Sequence, residues 1–254
     1  MMSTKKIFSN LLSKFGYTIV KKNEATFPDI VEQEFWEIYN FCKPFTMTSV
    51  ERMYALYNAV DYIISNKIEG DFVECGVWRG GSSMLIAKML VNRKIKNRNI
   101  YLYDTFEGMT QPTTNDISFD GQNAGVLFED YRNDNQESTW CLADLNDVKR
   151  NLSSTQFPER NLFFIKGKVE DTLEKNLPKN NISLLRLDTD WYESTKHELE
   201  ILFPILVQSG VLIIDDYGHW QGCRKAVDEY FEGNPQKILL NRIDYTGRVG
   251  IKTN

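Results

Sequence analysis

An α/β domain built on a doubly wound, mostly parallel sheet is the fold this sequence predicts, on three observations. Short apolar runs with the character of buried strands recur along the chain and alternate with helical patterns. Several of those runs end on an acidic residue or a glycine turn, as strands do where an open sheet offers its carboxyl edge to a ligand. The 254 residues are 42% hydrophobic, enough for one sizeable core with helices on both faces of the sheet.

The elements follow in order. Phe35 to about Ser65 reads as helix, with Val50, Met53, Leu56, Tyr57, Val60 and Ile63 at three- and four-residue steps. Thr48 or Ser49 can cap it, and Glu51 stands in the first turn. A strand follows at Asp71–Cys75, then a glycine turn and a helix from about Ser82 to Val91. The next strand, from Asn99 to Tyr103, ends on Asp104. Thr105 to Asp134 is polar with scattered Gly, Pro and Asn, and a structureless stretch of that length reads as a lid or as disordered. A helix is expected at Ala143–Leu152, a strand at Asn161–Lys166, then Gly167 and a short helix. Leu184–Leu187 and Val211–Ile214 are further strands, separated by a helix near Ser194–Leu206. A helix at about Gly222–Phe231 and strands at Lys237–Leu240 and Arg248–Lys252 complete the order.

Composition excludes several classes. A net charge of −5 and a pI near 5.3 argue against a general nucleic-acid binder, which carries a basic stripe. The 4 cysteines, Cys42, Cys75, Cys141 and Cys223, have no CxxC spacing, so neither a zinc ribbon nor a disulfide framework is indicated. Reduced thiols fit the cytoplasm. No apolar run approaches the roughly 18 residues of a membrane span. The segment Lys5–Phe15 is basic and amphipathic and lacks a signal-peptide pattern; it reads as a packing helix, with a membrane surface as the alternative.

Chemistry concentrates at the strand ends. Leu184–Leu187 is followed by Asp188, Thr189 and Asp190, and Val211–Ile214 by Asp215 and Asp216. Neighbouring strands would aim these carboxylates at one crevice, where their repulsion calls for a cation. With 2 histidines in the chain, oxygen ligation points to a hard ion such as Mg²⁺. In Phe72–Ser83, Gly76 permits a tight turn and close ligand approach, Gly80 and Gly81 clear the helix entry, and Ser82 or Ser83 can cap it or bind a ligand. This is neither a dinucleotide G-x-G-x-x-G nor a phosphate loop. Asp104 can accept both hydroxyls of a ribose, or cap a turn. Glu74 can meet an ammonium group directly or through water. A ligand with a ribose and an α-amino group but no pyrophosphate is S-adenosylmethionine rather than NAD.

Those segments resemble a known family. Val73–Ser83, Tyr103–Met109, Leu187–Thr195 and Ile214–Gly218 are similar, in this order, to the macrocin O-methyltransferase family, and the resemblance runs from about Thr46 to Lys252. It leaves out the first forty residues and the lid around Pro112–Asn135. The resemblance implies a Rossmann-like class I methyltransferase sheet of seven strands with the last antiparallel, preceded by an N-terminal helical extension and lid at 1–45 before a catalytic domain at 46–254. It implies S-adenosylmethionine, Mg²⁺ and methylation of a sugar or glycoside hydroxyl. By analogy with the wider metal-dependent group that includes catechol O-methyltransferase, Asp188, Asp215 and Asp216 should hold the metal. Val169 and Glu170 should flank the adenine, and Met47 and Thr48 belong to the segment that closes over the cofactor. With Glu74, Gly76, Gly80, Ser82, Asp104, Thr105 and Asp188, these make up the expected cofactor site.

The mechanism expected is in-line methyl transfer to a hydroxyl, with its proton removed by Asp188, Asp190 or His219. Trp78, Trp191, Tyr192 and Trp220 can form a sugar-stacking wall or pack in the core. Arg79 can hold a carboxylate. The rivals are a glycosyltransferase using Asp188-Thr189-Asp190 as a D-x-D motif, a non-catalytic binding protein on the same scaffold, and an NAD-dependent dehydrogenase. A small-molecule acceptor and self-association are the partners expected.

Overall fold

A computed structural model describes residues 27–133 and 139–253. The amphipathic segment Lys5–Phe15 lies outside the described residues. The chain divides into two compact units, Met1–Gln33 and Glu34–Asn254. Of the first, residues 27–33 are described, with a turn in which the Ile30 N–H donates to the Phe27 carbonyl at 3.1 Å.

The second unit carries a seven-stranded sheet in the order β3-β2-β1-β4-β5-β7-β6. The strands are β1 (Asp71–Cys75), β2 (Ile100–Asp104), β3 (Leu162–Lys166), β4 (Ile182–Leu187), β5 (Leu206–Ile214), β6 (Asn241–Arg242) and β7 (Arg248–Ile251). The first five are parallel, and β7 runs antiparallel to both β5 and β6. The helices are α1 (Gln33–Cys42), α2 (Val50–Ser65), α3 (Gly81–Asn92), α4 (Ala124–Asp130), α5 (Leu145–Ser153), α6 (Val169–Thr172), α7 (Tyr192–Leu202) and α8 (Gln221–Gly233).

Side chains alternate across a strand, and the two faces do different work. Val73, Cys75, Leu185, Leu187, Leu212 and Ile214 pack against Leu199, Leu202, Val227 and Phe231 of α7 and α8. The opposite face of β1 and β4 turns Glu74 and Arg186 toward Ser83 of α3 and Thr48 before α2.

Four expectations need correction. The long helix from Phe35 is two helices, because Pro44 falls in a 3-10 turn at Lys43–Phe45 and Thr46 is extended; a proline in a helix interior removes a donor and clashes with the preceding turn. Ser49 is the cap of α2, its Oγ accepting from the Arg52 N–H at 3.2 Å. The polar stretch after Asp104 holds α4 and is organised by Asp116, which is fully buried. Its carboxylate accepts from the Thr113 N–H (2.6 Å), the Thr113 hydroxyl (2.8 Å) and the Tyr192 N–H at the start of α7 (2.8 Å). Lastly, the late strand lies at Asn241–Arg242 instead of Lys237–Leu240, and α7 stops short of Leu206, which already belongs to β5.

Candidate functional site

Register builds the site. β1, β4 and β5 end level, with Cys75 beside Leu187 and Leu187 beside Ile214. The Asp188 N–H donates to the Cys75 carbonyl and the Asp215 N–H to the Leu187 carbonyl, both at 2.9 Å. Asp188 and Asp215 therefore leave adjacent strands side by side at the carboxyl edge of the sheet. Gly76 is the counterpart on β1. Its φ is +80°, and a Cβ there would lie 2.0 Å from the Asp188 carbonyl oxygen, so only glycine lets the two strand ends meet.

A cleft opens over this edge, with Thr46–Thr48, Gly76–Trp78, Ser82, Asp104, Cys141, Asp188, Asp190, Asp215 and Asp216 among its walls. A second hollow continues from it past Asp104 and Thr105 to Gly167, Val169 and Glu170. The structure thus brings together Met47, Thr48, Glu74, Gly76, Ser82, Asp104, Thr105, Val169, Glu170 and the four aspartates. Gly80 lies in neither wall. Its φ is +89°, and a Cβ would lie 2.7 Å from Leu152 Cδ2, so it serves the packing of α3 on α5. His219 lines a separate groove along α8, where its Nδ1 and the Tyr245 hydroxyl are 3.2 Å apart. The tryptophans divide: Trp191 and Trp220 are buried in the core with ring centres 5.1 Å apart, while Trp78 faces the cleft. Arg79 holds Asp147 of α5 at 2.7 Å.

The carboxylates have partners that the sequence reading missed. Arg186, 2% exposed one residue before the end of β4, donates from Nη1 to Glu74 (2.7 Å) and Asp188 (2.8 Å), and from Nη2 to Asp215 (2.7 Å) and the Thr48 hydroxyl (3.3 Å). Arg52 of α2 takes the other Asp215 oxygen and lies 3.1 Å from Asp244. The available signal was a lone charge inside an apolar strand, which a core tolerates only when that charge is paired. Glu74 is corrected accordingly: one oxygen accepts from Arg186 and the other from the Ser83 hydroxyl, so it braces the arginine from within. Asp104 is likewise engaged. Its Oδ2 accepts the Val77 and Trp78 N–H groups (2.6 and 3.1 Å) and its Oδ1 the Phe106 N–H (2.7 Å), so the aspartate pins the glycine turn to β2.

Burial and mutual repulsion shape the acids. Asp188 is held well above the usual carboxylate range, by burial first and by Asp215 and Asp216 against the pull of Arg186. Burial also lifts Asp190 to about 7, with a hydrogen bond from Asp216 acting the other way. Asp216 is raised in turn, by burial first and then by Asp190 beside it. One oxygen from each of Asp188, Asp215 and Asp216 lies within 4.8 Å of the others, and Asp216 Oδ2 is buried without a hydrogen-bond partner. An all-oxygen set with an orphaned buried acceptor fits a hard divalent cation. No helix among the described residues is long and apolar enough to cross a membrane.

Sheet order 3-2-1-4-5-7-6 with one reversed strand, a glycine turn after β1 and acidic ends on β2, β4 and β5 define a methyltransferase of the Rossmann-like class. The known proteins agree. Residues 31–249 match the family model Macrocin-O-methyltransferase. The chain is 31% identical over 207 residues to the 8-demethyl-8-(2,3-dimethoxy-alpha-L-rhamnosyl)-tetracenomycin-C 4'-O-methyltransferase of Streptomyces olivaceus, covering 80% of this chain and 73% of that protein. It is 30% identical over 202 residues to the mycinamicin III 3''-O-methyltransferase of Micromonospora griseorubida, covering 80% and 76%. The solved structure of the O-methyltransferase NovP superposes with a TM-score of 0.70 at 29% identity, over 83% of each chain. The chain belongs to the macrocin O-methyltransferase family and is an S-adenosylmethionine-dependent O-methyltransferase.

Proposed function

We propose that the enzyme methylates a hydroxyl of a sugar on a glycosylated small molecule, with Mg²⁺ held by Asp188, Asp215 and Asp216. The observation that carries this reading is the convergence of those three carboxylates on the floor of the cleft, level with the glycine turn. The names of the relatives add the acceptor class, one of them carrying a rhamnosyl group. S-adenosylmethionine would lie between Met47–Thr48 and Gly76–Trp78 with Ser82, its ribose toward Asp104 and Thr105 and its adenine toward Val169 and Glu170.

When bound, Mg²⁺ would orient a pair of vicinal acceptor oxygens and lower the pKa of the one to be methylated. The protein does the rest. The cleft sets the hydroxyl in line with the sulfonium methyl. Asp190, which lines the cleft beside Asp188 and Asp216, is the proton acceptor. S-adenosylmethionine, when bound there, would supply the methyl group, and Asp190 would take the proton of the hydroxyl that receives it. His219 has no place in this scheme. Within the same reading the enzyme is a cytoplasmic homo-oligomer with residues 1–45 as an N-terminal extension to domain 46–254; light scattering on the full chain tests its assembly.

The deciding experiment is calorimetric titration of S-adenosylhomocysteine with Mg²⁺ and with chelator, followed by methyl transfer to a panel of glycosides. Cofactor binding with metal-dependent transfer supports the proposal; transfer at full rate in excess chelator removes the metal from it. Asp188→Ala is expected to keep the far-ultraviolet circular dichroism of the parent and to lose turnover by at least about a thousandfold, the scale of losing a main electrostatic element of a site.

A further inference from the structure

Both oxygens of Asp215 are taken by guanidinium groups, Oδ1 by Arg186 and Oδ2 by Arg52. A dication at Asp188, Asp215 and Asp216 must therefore share an oxygen with one of them or displace it, and like charges at such range repel strongly. The two arginines are not equally able to yield. Arg186 is locked in the sheet by Glu74, Asp188 and Asp215 together, with its side chain 3% exposed. Arg52 stands in the first turn of α2, its side chain is 15% exposed, and its second partner, Asp244, has a side chain 12% exposed. Ser49, which caps α2, also donates to Asp244, at 2.9 Å. The chain just before that cap, Thr46–Thr48, is a wall of the cofactor cleft.

We propose that Arg52 is a built-in competitor of the divalent cation: it occupies Asp215 when the metal is absent, gives way when the metal binds, and so links metal occupancy to the cleft wall at Thr46–Ser49. This deepens the function proposed above and rests on its metal assignment. The charge of Arg52 then lowers cation affinity, and release of Arg52 from Asp215 loosens the start of α2.

The test uses the full chain and Mn²⁺, followed by the electron paramagnetic resonance of the free ion. Arg52→Met is expected to bind Mn²⁺ about tenfold more tightly or better than the parent, as follows from removing a positive charge beside the site. Arg52→Lys, which keeps the charge on a single ammonium and guards against a misfolded Met variant, should gain only a part of that. Hydrogen exchange in residues 46–52 should speed up on Mn²⁺ addition in the parent and not in Arg52→Met. Unchanged or weaker affinity in Arg52→Met, with binding still abolished by Asp188→Ala, overturns the competitor role and leaves the metal site standing. No Mn²⁺ binding to the parent or to Arg52→Met overturns the metal reading together with it.

Discussion

Asp104 shows how one side chain can pin a turn at the wall of the cleft. It was legible in the sequence as an acid at a strand end, and the turn-capping alternative noted there is what its hydrogen bonds display, three backbone N–H groups converging on one carboxylate. Asp104→Asn puts an NH₂ against those donors. The expected result is a fall of at least about tenfold in S-adenosylhomocysteine affinity by calorimetry, together with roughly 2 kcal/mol of stability, the scale of hydrogen bonds to a charged group. Glu198 had no place in the sequence reading. It is fully buried on α7, with both carboxylate oxygens within 3.1 Å of the Thr189 hydroxyl, and it steadies the turn that carries Asp188 and Asp190. Burial holds its carboxyl well above the usual range. The folded protein therefore keeps a proton that the unfolded chain releases above about pH 4.3. Its contribution to stability is complete below that pH and is lost as the pH rises through the folded pKa. Glu198→Gln keeps an acceptor for Thr189 and cannot ionise. Its melting temperature should match the parent near pH 4 and exceed it at pH 8; equal values at both pH would show that folding does not raise the Glu198 pKa.

Elements with one strong period were read well, and those set by a single bond or a single break were not. The carboxyl ends of β1, β2, β4 and β5 fell where expected, because each strand closes on a mostly apolar buried run that one acidic or glycine residue ends. Arg186 is the exception inside β4, and its role depended on partners from β1, β5 and the segment before α2. The split of the first helix at Pro44 was visible as a proline, but the pattern of Val50–Ile63 hid it. The lid segment looked structureless because its order comes from Asp116, a single acid whose partners are both local and far along the chain. At the entry to α3, Gly80 combines a φ of +89° with Leu152 packed against the space a Cβ would fill. Gly80→Ala should cost about 1–3 kcal/mol, the range for a strained non-glycine backbone, measured as a lowered urea midpoint. Because Gly80 is outside the cleft walls, cofactor affinity of the folded fraction should hold.

At the scale of the molecule, the reversed edge of the sheet is tied to its parallel core by Lys252. Its ammonium, in a residue 7% exposed, donates to the carbonyls of Phe203 (2.9 Å), Pro204 (3.2 Å) and Leu206 (2.7 Å), between the end of α7 and the start of β5. Lys252→Met keeps the stem and strands three acceptors. The expected cost is about 3 kcal/mol, seen as a lower urea midpoint with an unchanged slope. The sequence by itself determined the sheet class, the strand ends, the glycine turn and the four aspartates, since each rests on a local apolar run and the residue that ends it. It also determined the family, through four motifs in order. Only the tertiary structure decided what neutralises Asp188 and Asp215, because Arg186 and Arg52 reach them from residues up to 163 positions away in the chain. It also decided that Glu74 faces inward and that His219 lines another groove. Distance along the chain carries no charge information, and a carboxylate's partners are settled only when strand register and helix packing bring them within hydrogen-bond reach.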